Sequence, residues 1–163
     1  MATPHTQSRL SVGQQLLNVL NKLSAIPGGH FIFSRIIASK IPYSATIDAR
    51  VVVLEPGHAK LILKDKKSIR NHLNSIHAVA LTNFGEMTSG LALNTGLSAD
   101  VRGIVTQITT DYVKKARGTL VAECRCELPT VTKDMEYTVE AVIKDQQHDI
   151  VAKVKVVWRL GLK

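Results

Sequence analysis

His77-Ala78-Val79-Ala80-Leu81-Thr82-Asn83-Phe84-Gly85-Glu86-Met87-Thr88-Ser89-Gly90-Leu91-Ala92-Leu93 is the stretch that decides the fold. Ala78, Ala80, Leu81, Phe84, Met87, Leu91 and Leu93 leave almost no polar face, and Glu86 is the sole charge. A helix apolar nearly all round is a buried one. Whatever surrounds it must supply the walls.

The flanking chain reads as strands with one helix in front. Val12, Leu16, Leu17, Val19, Leu20 and Leu23 recur at helical spacing between Ser11 and Ser24, and Pro27-Gly28-Gly29 stops that amphipathic helix. Phe31 to Ile37 is apolar and fits either a short second helix or a buried connector. From Thr46 the period changes to two: Ile47, Ala49, Val51 and Val53 share one face, Asp48 and Arg50 the other. Glu55-Pro56-Gly57-His58 turns the chain into a return strand, Ala59 to Lys64, with Lys60 and Lys64 outward.

Three further strand segments follow the buried helix. Val101 to Val113 is long; Arg117 to Leu128 alternates, with Leu120, Ala122, Cys124 and Cys126 on its apolar face. The last, Met135 to Lys144 with Ile150 to Leu160, is a hairpin around Asp145-Gln146-Gln147-His148. Such alternation marks an antiparallel sheet with one buried face. One apolar helix among such strands must lie on that face, which predicts a two-layer α+β domain.

The chain has 163 residues, 45% hydrophobic and 21% charged, enough for one domain with its own core. Met1 to Gln7 reads as a loose terminus, and Met1-Ala2-Thr3-Pro4-His5 lacks a signal-peptide pattern. No apolar run is long enough to span a membrane, and the expected location is cytoplasmic. Cys124 and Cys126, on one strand, would sit about 6.5–7 Å apart, a poor distance for a disulfide. They read as two buried thiols, and no metal or cofactor is expected. The net charge of +8 asks for an anionic partner or simply a basic surface. Its basic groups, Lys64-Asp65-Lys66-Lys67 with Arg70 and Lys114-Lys115-Ala116-Arg117, sit in turns with no interleaved aromatics. That counts against nucleic acid and leaves a phosphate-bearing small molecule or an acidic carrier protein.

A sheet wrapped around one central helix is the hotdog architecture, and Asn71-His72-Leu73-Asn74-Ser75-Ile76-His77-Ala78-Val79 … Gly85-Glu86 resembles the signature of the PaaI-like branch of hotdog thioesterases. That signature has Asn, five residues, His-Gly-Gly, then an acid nine residues after the His. Asn71, His77 and Glu86 keep the spacing; Ala78-Val79 replaces Gly-Gly, and Glu86 replaces Asp. Asp111-Tyr112-Val113-Lys114-Lys115-Ala116-Arg117-Gly118 is similar to the family's Tyr-x-x-Pro-Ala-x-x-Gly strand–turn–strand element. The resemblance spans roughly residues 40 to 160 and is nearest to hotdog domains also found fused to acetyltransferases. It implies a single hotdog domain over 1–163, with a helical extension at 1–40 and the core at 41–163.

The resemblance further implies hydrolysis of an acyl-CoA or acyl-carrier-protein thioester. Glu86 would activate water or attack. The N–H groups of Ala78 and Val79 at the helix start, with Asn71, would hold the oxyanion. Asn71 alternatively only fixes its loop, and His77 is more readily a cap than a base. Thr106 is the nearest helper hydroxyl, and Lys114, Lys115 and Arg117 either lie where the family meets the coenzyme A nucleotide or are solvated turn charges. Glu86 is about 13 Å along the axis from His77, so one site using both groups draws them from two subunits, in a dimer or dimer of dimers. A non-catalytic acyl-binding hotdog module is the alternative.

Overall fold

The computed structural model describes residues 10–163; the terminal segment Met1–Gln7 lies outside them. α1 (Val12–Ser24) starts at Ser11, whose hydroxyl accepts from the Gln14 N–H at 3.1 Å while Gln14 Oε1 accepts from the Ser11 N–H at 2.9 Å. This reciprocal cap explains the start read at Ser11. The ambiguous stretch after the glycines is a helix, α2 (Gly29–Lys40). Its Phe33 and Ile37 are buried, and Ser34 Oγ accepts from the Val51 N–H at 3.0 Å, tying α2 to the first strand.

β1 (Arg50–Glu55) and β2 (His58–Leu63) form the expected hairpin, with two corrections. Ser44–Ile47 is a 3₁₀ turn, so the strand begins at Arg50 rather than Thr46. Val52 is an extra residue between the Val51–Leu61 and Val53–Lys60 pairs, and this bulge turns Leu54 inward in place of Val53. α3 (Ala78–Asn94) follows, then β3 (Val101–Tyr112), β4 (Leu120–Arg125), β5 (Met135–Lys144) and β6 (Ile150–Leu162). The closing hairpin thus counts as two full strands, and six antiparallel strands run β1-β2-β4-β5-β6-β3.

α3 lies across the inner face of this sheet. Phe84, Met87, Leu91 and Leu93 are buried against Leu61, Leu120, Ala141 and Val154 in one core. Gly85 sits where any Cβ would collide with the Val154 side chain, so the helix rests directly on β6. Cys124 is buried, but Cys126, just past the end of β4, is only half-buried; both thiols are free. Interaction with Cys126, then burial, pushes the Cys124 thiol up, while the Cys124 thiol holds Cys126 down. No helix is long and apolar enough to cross a membrane.

Candidate active site

Three polar residues of α3 share one side of the helix, while Thr88 and Ser89 are buried. Val79, Thr82, Asn83 and Glu86 recur at helical spacing, and with Tyr43, Ser44, Val105 and Ile108 they line a groove of about 340 Å³. Beside it, sharing Tyr43, Val79 and Asn83, a second hollow of about 210 Å³ reaches His77, Ala80, Ser68 and Arg70. The groove therefore runs from the helix N-terminus to Glu86.

Glu86 is half-buried in this groove, and no cation pairs with it among the described residues. Desolvation raises its carboxyl above the ordinary glutamate value. Gly90, one turn on, packs against the Trp158 ring, where a Cβ would lie 3.3 Å from Trp158 Cζ2.

The first turn of α3 is capped by His77, whose Nδ1 accepts from the Val79 N–H at 3.1 Å. Of the two amides expected as donors, Val79's is thus engaged, while Ala78's heads the helix without an intrahelical acceptor. Asn71 Oδ1 accepts from the Leu73 N–H at 3.0 Å, the Ser75 N–H at 3.2 Å and the Ser75 hydroxyl at 3.2 Å. It takes the loop-fixing role. This loop is fastened on both sides, the His77 N–H donating to Ile69 O and the Ile76 N–H to Ala116 O, each at 2.8 Å. The two segments that carry the family resemblance therefore meet.

Thr106 is not brought to the groove. It is the unpaired residue of a bulge between Val105 and Gln107, and its hydroxyl donates to Val157 O at 3.3 Å. The bulge instead aims Val105, Ile108, Thr110 and Tyr112 at α3. Tyr112 Oη donates to Ala78 O at 3.1 Å, and the Thr82 hydroxyl lies 2.9 Å from both Thr110 Oγ1 and Tyr112 Oη. This cluster was missed in the sequence. Its signal was the Thr82-Asn83-Glu86 stripe at helical spacing on α3.

The basic turns are partly self-neutralised. Lys114 Nζ contacts Asp145 at 2.6 Å and Asp149 at 2.8 Å, Arg70 Nε contacts Asp65 at 2.7 Å, and Lys66 contacts Asp48 at 3.6 Å. Lys115 and Arg117 stay exposed beside the Ala116 carbonyl that anchors the site loop. No group of side chains suited to holding a metal occurs among the described residues.

Comparison with known proteins places this geometry. Residues 29–160 match the family model described as a domain of unknown function (DUF4442), so the matched span includes α2. No curated protein matches the chain. Among solved structures, a structural-genomics protein is 22% identical with a TM-score of 0.77, covering 91% of this chain and 99% of its own. A probable thioesterase from Pseudomonas aeruginosa is 24% identical at a TM-score of 0.73, covering 85% of this chain and 97% of its own. A hypothetical thioesterase from Streptococcus pneumoniae, solved with coenzyme A, is 17% identical at 0.64, covering 77% and 98%.

Proposed function

We propose, from the premise that the chain belongs to the DUF4442 family and has the hotdog fold, that it hydrolyses acyl-CoA thioesters with Glu86 as general base or nucleophile. The observation that carries this reading is a desolvated carboxylate in an apolar groove, with no cation beside it among the described residues. A raised carboxyl at the end of such a groove suits proton abstraction from water near neutral pH. The structural neighbours named as thioesterases, one solved with coenzyme A, support it.

The oxyanion would be met by the Ala78 N–H and the positive end of α3, with the Asn71 carboxamide N–H₂ as side-chain donor, since its oxygen holds the loop. Val79 then serves as a wall, and His77 as the cap that fixes the turn. Glu86 lies about 12 Å along the axis from Ala78, so the two halves of a site come from two copies. β3 is the edge strand that would join them. It is long, and Ile108, 40% exposed, lines the groove with Val79 at 54%, while Ile104, 62% exposed, lies on its other face. A long apolar edge strand invites pairing. Lys115 and Arg117 would meet the nucleotide phosphates; Lys114, held by two aspartates, would shape the turn.

Thiol release from a panel of acyl-CoAs and acyl-carrier proteins, with light scattering of the same sample, tests this. Turnover of at least one thioester by a dimer or larger assembly is expected. A folded monomer with full activity would remove the shared site, and saturable acyl-CoA binding without turnover would leave an acyl-binding module.

A further inference from the structure

The sheet has a second concave surface, on the side away from α3. β2, β4, β5, β6 and the β5–β6 turn line an open cavity of about 630 Å³ there, whose floor is the half-buried Val121, Val142 and Ile150. The acids on its lining are already engaged. Glu123 is contacted by His58 Nε2 at 2.9 Å, Arg125 Nη2 at 3.2 Å and Lys60 Nζ at 3.7 Å, and Glu140 by Lys155 Nζ at 3.8 Å.

Lys144 and Lys153 have no acidic partner among the described residues. The register sets Val142 opposite Lys153 and, past a bulge at Val151, Lys144 opposite Ile150, so the two lysines are diagonal neighbours lining one face. Such neighbours stand about 7–8 Å apart, within reach of one shared group for long side chains. His148, held at φ 66° in the β5–β6 turn, adds a third potential donor at the rim. Cations thus outnumber acids around an apolar floor. A second copy of this face would bring like charge to like charge on a chain of net charge +8, so the complementary occupant is an anion.

We propose that this cavity binds an amphipathic phosphate ester: its phosphate lies between Lys144 and Lys153, and its apolar or planar body lies on Val121, Val142 and Ile150. The site is on the opposite face of the sheet from Glu86, and the inference does not depend on the hydrolytic reading. Lysine supplies point charges suited to phosphate, and the floor gives the ester an advantage over free phosphate.

Amide NMR titration of the full-length chain with adenosine diphosphate, octyl phosphate and inorganic pyrophosphate tests it. Saturable shifts at Val142, Ile150 and Lys153 are expected with at least one ester, tighter than with pyrophosphate and weakened by added salt. Whether the nucleotide or the alkyl ester binds more tightly identifies the source of the phosphate. Lys144→Ala/Lys153→Ala should weaken binding at least tenfold and leave any thioester turnover unchanged. Lys144→Arg/Lys153→Arg should retain most of the binding. The proposal is overturned by an absence of saturable shifts on this face up to millimolar probe, or by shifts confined to the α3 groove. Equal affinity in the double alanine variant overturns it too, as does a change of assembly state in that variant without a change in binding, which would make the face an interface between copies.

Discussion

Glu86 and Glu123 stand on opposite faces of the same sheet and are treated oppositely by it. Burial raises Glu86 with nothing to offset it, because the walls of its groove are Val79, Val105, Ile108 and neutral hydroxyls. Burial also works to raise Glu123, yet the hydrogen bond from His58 and the charges of Lys60 and Arg125 outweigh it and hold that carboxyl low. The difference is one of both depth and partners: Glu86 is the more deeply desolvated, and only Glu123 has cations beside it. A carboxylate left without a counter-charge in an apolar groove costs folding energy, and that cost marks a functional residue better than its position in the sequence does. Glu123, held by Lys60, Arg125 and the His58 ring, is structural.

Substitutions can break the comparison. Glu86→Gln should lower kcat/KM about 10³-fold, within the range of a positioned base, while Glu123→Gln stays within about twofold of wild type in the same assay. Equal effects of the two would erase the distinction. Asn71→Ala should cost about 10²-fold, at the lower end for an oxyanion donor. A larger loss with a lowered melting temperature would assign Asn71 to loop closure alone. Lys115→Ala/Arg117→Ala should raise KM several-fold at low salt with kcat unchanged, and the effect should fade as salt screens exposed charge.

The smallest effects are on stability, and they have opposite signs. A carboxyl raised by folding stabilises only below its ordinary value, and the contribution is lost as pH rises through the raised value. At pH 7 Glu86 is therefore a burden, and Glu86→Gln should melt at the wild-type temperature or above it. A lowered carboxyl stabilises above its ordinary value and loses that as pH falls through the lowered one. Glu123→Gln should then cost up to about 1 kcal/mol at pH 7, as partly exposed ion pairs do, and nothing in strong acid. Calorimetry at the two pH values reads both.

The fold was legible because the two periods do not mix. Helical spacing from Ser11 and the unbroken apolar run from His77 sit between stretches of strict alternation, and only one layered arrangement buries both. What the alternation concealed were the bulges. Val52 and Thr106 each insert one residue, and from there the inward face changes parity, which is why Leu54 rather than Val53 is buried and why Val105 and Ile108, not Thr106, line the groove. Resemblance to the PaaI-like signature brought Asn71, His77 and Glu86 into view. It could not reveal that His77 would occupy the Val79 amide, that Asp145 and Asp149 would claim Lys114, or that Tyr112 would reach across to Ala78. Those are contacts between distant segments, fixed by where the strands place them. The outer cavity was hidden for the same reason: its lysines come from neighbouring strands that only the register aligns.

The pH dependence of kcat/KM, measured with whichever acyl-CoA turns over fastest, bears most directly on the claim that Glu86 is the working base. The acid limb should fall above the ordinary glutamate range, because desolvation raises the carboxyl that must be ionised. That limb should persist in Glu123→Gln and vanish from the residual activity of Glu86→Gln. A limb at or below the ordinary glutamate value, or one unchanged in Glu86→Gln, would contradict the account.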